Sequence, residues 1–249
     1  MQSAQAKIAA IGHFLLDRLF PPVCLACRKA IVQHGALCAQ CWQKMVFIER
    51  PYCERLGVPF AQELGSEGLL SPEAIANPPV YGRARAVARF EDGPARQLVH
   101  RLKFGDRLDL AGPMGAWMAR AGSEILVEAD ALIPIPLHPS RLRKRKFNHS
   151  GALAEAISRH CGVPVRHRIL QRIKPTSSQI GLSRNQRALN VQGAFQVKPE
   201  DRLAIEGARV VLVDDVLTSG ATINAASRAL LRAGAVQVEA LVFARVVRE

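Results

Sequence analysis

The sequence predicts an α/β domain, a parallel sheet flanked by helices, preceded by a small four-cysteine module. Three observations lead there. From residue 80 onward, short apolar runs alternate with helical patterns, as strands and helices do in a mainly parallel sheet. One run, VVLVDDVLTSGATI at residues 210–223, ends in two carboxylates and passes through a hydroxyl-bearing loop into a helix. Near the N-terminus, two Cys-x-x-Cys pairs stand ten residues apart.

Residues 1–57 are expected to hold an N-terminal helix and a double zinc-ribbon-like module. Ile8, Ile11, Leu15 and Leu19 fall on one helical face, so this segment reads as an amphipathic helix docked on the protein. A signal peptide does not fit, because His13 interrupts the apolar stretch and no small-x-small site precedes Pro21. No apolar run approaches the roughly 20 residues that span a bilayer, and the expected location is cytoplasmic. In that setting clustered, paired cysteines point to metal rather than disulfides. Cys24 with Cys27 and Cys38 with Cys41 can each chelate through a tight turn, and together they complete a tetrahedral thiolate site. All four positions are cysteine, so the expected Zn2+ is structural, with no ligand position left for water. Cys53 begins a third such turn whose second cysteine is Leu56, and Cys161 reads as a packing residue.

Residues 58–79, with Gly65, Gly68, Pro72 and an Asn77-Pro78-Pro79 ending, read as a linker. No internal repeat or low-complexity tract is visible. Residues 80–249 form the α/β domain. Its expected strands are residues 131–137, 163–169, 194–197, 209–213 and 236–243, all apolar enough to be covered on both faces. Helices are expected at 95–102 after Asp92, 150–160 after Asn148, 184–190 after Ser183, and 221–233 before Gly234.

The composition is that of a globular chain: 49% apolar residues, neither fibrous nor disordered. The net charge of +13 suggests a polyanionic partner, a nucleic acid, a phosphorylated small molecule or an anionic membrane, or else a solubilising surface. The loop at 218–222 supplies a place for a phosphate. Loops after parallel strands are where α/β sheets bind ligands. Amides of the loop and helix N-terminus form an anion pocket, and Thr218, Ser219 and Thr222 can add donors beside Gly220 and Ala221. Asp214 and Asp215 stand where they can accept from ribose hydroxyls or order a hydrated Mg2+.

This strand–Asp-Asp–loop–helix order resembles the 5-phosphoribosyl 1-pyrophosphate (PRPP) signature of the type I phosphoribosyltransferases. Joined to an N-terminal cysteine cluster after a Phe20-Pro21-Pro22 turn, it is similar to the ComF family of competence-associated, amidophosphoribosyltransferase-like proteins. Further matching stretches are Leu102-Lys103-Phe104-Gly105, then Ile133 to Pro136 continuing through His138, Arg141 and Arg145 to Asn148, and a loop carrying Thr176, Gln179, Arg187, Asn190, Gly193 and Phe195. One departure is Lys146, which stands where the family has a glycine.

The resemblance implies a type I phosphoribosyltransferase-like fold that binds PRPP with Mg2+. Asp214 and Asp215 would be catalytic, with the residues from Thr218 to Thr222 on the 5-phosphate. Lys103, Arg141, Arg145 and Arg187 would meet the pyrophosphate, with Arg143, Lys144, Lys146 and Arg184 as further candidates. It also implies a part in DNA uptake and natural transformation, with transferase activity toward an unknown acceptor. Two other readings stay open. One is a non-catalytic adaptor or a protein binding single-stranded DNA, in which case Phe104 and Phe147, beside basic residues, are the stacking candidates and Trp42 and Trp117 read as core. The other is a nucleotide-salvage enzyme, against which Thr218 stands where a 6-oxopurine enzyme has an acidic residue.

Overall fold

The computed structural model describes residues 21–60, 68–104, 107–176 and 183–247. The helix expected over Ile8 to Leu19, and Gln179, lie outside the described residues.

The chain opens with a backbone motif that occurs twice. In the first lobe Cys24 N donates to Lys29 O, Arg28 N to Cys24 O, and Val23 bridges Ala30 in antiparallel fashion. Leu25 N then donates to Ala36 O, Cys38 N donates to Cys24 Sγ at 3.2 Å, and a short helix α1 (Ala39–Gln43) follows. In the second lobe Cys53 N donates to Val58 O, Gly57 N to Cys53 O, and Tyr52 bridges Pro59. Glu54 N donates to Leu69 O, Ser71 N donates to Cys53 Sγ at 3.2 Å, and α2 (Pro72–Ala76) follows. Arg28 and Gly57 occupy the same left-handed turn position, with φ of 66° and 63°. Gly57 has a second constraint, because a Cβ there would lie 2.3 Å from Ala84 O. An internal repeat is therefore present where the sequence showed none. Cys53, Leu56, Ser71 and Ala74 of the second lobe stand at the positions of Cys24, Cys27, Cys38 and Cys41 of the first. In place of four sulfurs, Cys53, Leu56 and Ala74 form a small buried cluster with Val58 and Phe60 packed on it.

The second unit is a four-stranded parallel sheet. In chain order its elements are β1 (Ala84–Arg89), α3 (Pro94–Phe104), α4 (Ala111–Ala121), α5 (Ser123–Leu126), β2 (Ala131–Pro134), α6 (Pro139–Arg145) and α7 (His149–Cys161). Then come β3 (Leu170–Arg172), α8 (Arg184–Val191), β4 (Phe195–Val197), β5 (Arg209–Leu217), α9 (Ala221–Arg232) and β6 (Gln237–Arg245). The sheet order is β1-β6-β5-β2, while β3 and β4 pair separately and antiparallel. One face packs Leu98, Leu102, Met114, Met118, Leu153 and Ile157 of α3, α4 and α7 onto Val211, Val213, Leu241 and Phe243. The other face packs Ile223, Ala226 and Leu230 of α9, with Leu170 and Phe195 of the small sheet, onto Ile133, Leu212, Ala240 and Val242. Apolar residues on both faces explain why these strands read as continuous runs.

Three details differ from the sequence reading. Residues 163–169 are not a strand. Pro164 has no N–H to give to a ladder, so only Val165 bridges Leu132 before the chain turns away into β3. The basic run after β2 is the helix α6, entered through His138, whose ring Nδ1 accepts from Ser140 N at 3.3 Å, and Pro139. The strand β1 was not anticipated, because ARAVAR alternates arginine with small residues. Its Arg85 is 2% exposed and is held by ion pairs to Glu54 and Glu124, over the Tyr52 ring at 4.7 Å. The free edge of β1 is covered by residues 46–48, with Ile48 N donating to Val87 O and Arg89 N to Val46 O. Covering removes the exposed row of backbone groups that an edge strand otherwise presents. Other expectations match: Ser183 and Gln186 form a reciprocal capping box on α8, and Gly234 follows the end of α9.

Candidate functional site

The site lies at the C-terminal end of β5. This strand runs on through both aspartates to Leu217, so the carboxylates project from the strand itself rather than from the loop. Only Thr218, Ser219 and Gly220 separate β5 from α9. Gly220 is the N-cap of α9 with φ of 77°, a backbone conformation that other L-residues adopt only with strain. A Cβ at Gly220 would meet Asn224 Nδ2 at 3.5 Å and Tyr81 Oη at 3.8 Å, ordinary contacts. The glycine is therefore required by its dihedral angle rather than by lack of space. Ala221 and Thr222 form the first turn of α9, whose amides point into the loop.

Neighbouring helices bring partners to the aspartates. Lys103, near the end of α3, places Nζ 2.9 Å from Asp215 Oδ1, and Asp215 is only 4% exposed. Ser150, in the first turn of α7, donates to Asp214 Oδ1 at 2.9 Å, and Asp215 N donates to the same oxygen at 2.9 Å. Burial and the adjacent Asp215 push the Asp214 carboxyl up to about 7, against the pull of Lys103, Ser150 and the Asp215 amide. His149 Nε2 lies 3.0 Å from Lys103 O, and burial lowers the imidazole's pKa. The ring is thus a neutral donor that fixes the backbone carrying Lys103.

The basic candidates are spread around this centre. Arg141 Nη2 donates to Thr176 O at 2.5 Å, and Thr176 Oγ1 accepts from Arg172. Arg145 lies over the Phe104 ring at 5.1 Å, and Phe104 is 69% exposed. Arg143 and Lys146 are exposed. Lys146 adopts φ of 64°, the left-handed conformation expected of the glycine it replaces. Arg187 sits on α8 with its Nε buried and without a hydrogen-bond partner. Nothing is described of the side chains of Lys144 and Arg184. Trp42 is 51% exposed and lies against Phe47, and its ring is 6.4 Å from that of Trp117, which stacks on Phe243. Sequence reasoning missed Ser150, His149 and Tyr81. The first two adjoin the Phe147-Asn148 stretch already singled out, whereas Tyr81 carries no signal of its own.

The four cysteines of the first lobe converge, with all sulfurs within 4.8 Å of one another and Cys27 Sγ 3.6 Å from Cys38 Sγ. A tetrahedral tetrathiolate site with Zn–S bonds of about 2.3 Å has sulfurs roughly 3.8 Å apart, so the set fits a zinc ion. Burial raises the Cys24 thiol, but bonds from the backbone at Cys27, Cys38 and Ala26 outweigh it and hold it at about 6, suited to a thiolate ligand. Arg101 Nη1 donates to Leu25 O at 2.8 Å, tying this turn to α3. Cys53, by contrast, is a lone buried thiol accepting from the amides of Leu56 and Ser71. Among the described residues no helix is long and apolar enough to cross a membrane.

Comparison with known proteins agrees with this anatomy. A double zinc ribbon domain matches residues 15–73, a stretch that takes in the first lobe and the second as far as Glu73, and a phosphoribosyl transferase domain matches residues 153–248. The chain is similar to the DNA utilization protein YhgH of Salmonella typhi, at 28% identity over 88% of this chain and 95% of that protein. It is similar to the competence protein F of Haemophilus influenzae, at 26% identity over 89% and 96%. A third relative is the competence protein ComFC of Bacillus subtilis, at 27% identity over 60% of this chain and 58% of that one. The chain thus joins a double zinc ribbon to a phosphoribosyl transferase domain, and along most of its length it is similar to relatives named for competence and for DNA utilization.

Proposed function

We propose that the chain binds PRPP with Mg2+ and acts in the uptake or use of DNA. The observation that carries the ligand is the adjacency of two carboxylates on β5 to a three-residue loop that opens on the N-terminus of α9. The 5-phosphate would sit on the amides and hydroxyls from Thr218 to Thr222. Asp214 and Asp215 would accept from the ribose hydroxyls. Their hard oxygen donors suit Mg2+, which is bound by one or two carboxylates and otherwise by water and substrate phosphates. When bound, the metal supplies charge neutralisation for the pyrophosphate. Lys103 would pass from Asp215 toward that pyrophosphate as the ligand enters, with Arg141, Arg145 and Arg187 completing the cationic side. The part in DNA handling rests on the relatives, named for competence and DNA utilization.

PRPP with Mg2+ should raise the melting temperature of the protein, because a ligand that binds only the folded state stabilises it by mass action. No shift at millimolar PRPP would contradict the reading. Pyrophosphate release with a panel of acceptors would then separate a transferase from a binding protein. A second reading, direct binding of single-stranded DNA, is favoured by Phe104, an exposed ring with the Arg145 guanidinium above it. An exposed aromatic beside a cation is the surface on which unpaired bases stack. Strong salt dependence of oligonucleotide binding, lost in Phe104→Ala, would support it.

A further inference from the structure

A cleft of about 410 Å³ opens beside the phosphoribosyl loop, between Thr218 and Ser219 on one side and Leu56 and Val58 of the second ribbon lobe on the other. That volume lies in the range of small-molecule sites. Seven buried side-chain atoms among the described residues have no hydrogen-bond partner, and three of the seven belong to residues lining this cleft: Ser219 Oγ and Arg245 Nε and Nη1. Arg245 is 7% exposed. The pairing of Leu217 with Arg245 between β5 and β6 holds it next to the loop. Glu73 lines the cleft too, but neither Nε nor Nη1 bonds to it or to any other group. A guanidinium cannot escape burial by losing its proton, and a buried charge without a partner is strongly unfavourable. All three atoms can donate, so what is missing is an acceptor, and a guanidinium favours carboxylate or phosphate.

We infer that this cleft is a subsite for a second, anionic small molecule, bearing a carboxylate or a phosphate monoester, bound beside the phosphoribosyl group with Arg245 as its counter-charge. The placement beside a phosphoribosyl group rests on the function proposed above. The sheet order β1-β6-β5-β2 puts Arg245 of β6 on one flank of β5 and the basic helix α6, which follows β2, on the other. The subsite is therefore separate from the cations assigned to pyrophosphate, and the 5-phosphate has the amides of α9. The second ribbon lobe acquires a role here, because its Leu56 and Val58 are among the residues that line the cleft.

The test is calorimetry on the full chain saturated with ribose 5-phosphate, titrated with inorganic phosphate and, separately, with malonate. The unaltered protein should bind one further anion, and the tighter of the two probes identifies the chemistry as phosphate or carboxylate. Arg245→Gln should weaken that binding by about tenfold or more, Arg245→Lys should weaken it less, and ribose 5-phosphate affinity should stay unchanged in both. Arg245→Gln should melt close to the parent, since neither Nε nor Nη1 has an internal hydrogen bond to lose. Failure to take up a second anion, or equal uptake by Arg245→Gln, would overturn the inference. So would a tenfold loss of ribose 5-phosphate affinity in that variant, which would place Arg245 on the 5-phosphate. If the parent fails to bind ribose 5-phosphate yet binds phosphate through Arg245, the phosphoribosyl reading falls and the anion subsite stands.

Discussion

Lys103 Nζ lies 2.9 Å from Asp215 Oδ1, and this ion pair joins the end of α3 to the carboxylates of β5. It means that the cation expected to meet pyrophosphate is held, without ligand, by one of the groups expected to meet the ribose. On the proposed function, ligand entry would exchange one partner of Lys103 for another instead of uncovering a bare charge.

Removing only the cation should therefore destabilise the protein. Lys103→Met leaves Asp215 buried and unpaired. Breaking a buried pair costs about 3–5 kcal/mol, less where one partner is partly exposed, as Lys103 is, so the expected loss is on the order of 2–3 kcal/mol. Adding Asp215→Asn should recover most of it, which a double-mutant cycle in urea would measure.

Zinc content should be about one per chain by elemental analysis, because among the described residues only the first lobe assembles four sulfurs. The second lobe keeps the backbone of a zinc turn, with Leu56, Ser71 and Ala74 where ligands would stand. Leu56→Cys, Ser71→Cys and Ala74→Cys together, with the native Cys53, should raise the content to two. Failure of the folded triple variant to bind a second ion would show that the two backbones are not equivalent.

The Asp214 carboxyl titrates higher in the folded chain than its ordinary value of 3.8, at about 7. A raised pKa gives stability that is fully present below the unfolded value and is lost as pH rises through the folded one. The ligand-free protein should therefore lose stability between about pH 4 and pH 7. Asp214→Asn should flatten that slope and be the more stable chain at pH 8. Urea midpoints across this pH range provide the check, and parallel slopes would contradict it.

The helix α6 carries Arg141, Arg143, Lys144 and Arg145. If it meets phosphates, replacing the three arginines with alanine should weaken oligonucleotide or PRPP binding. The salt slope should fall by about one unit for each phosphate that is no longer neutralised. An unchanged slope would leave α6 a solvated helix.

What the sequence made legible was local. The cysteine pairs, the run into Asp214 and Asp215, and the helix after Gly220 are contiguous signals, and each lies where it was expected. The strand β1 was hidden because Arg85 is buried through Glu54, Glu124 and Tyr52, partners remote in sequence. The repeat was hidden because it is written in backbone hydrogen bonds, and the second lobe retains only one of four cysteines. A strand at residues 163–169 was over-read because its apolar pattern outweighed a single proline. Ser150 and Lys103 reach the aspartates only through helix packing, which no spacing rule reports.

The most direct test of the site is calorimetry of PRPP with Mg2+ on the parent and on the double change Asp214→Asn and Asp215→Asn, which keeps size and removes charge. Hydrogen bonds to charged groups contribute about 1.5–3 kcal/mol each, so the double variant should bind on the order of a hundredfold more weakly or worse. Circular dichroism establishes that it is folded. A folded double variant that binds PRPP as tightly as the parent would contradict the assignment of the phosphoribosyl group to β5 and its loop.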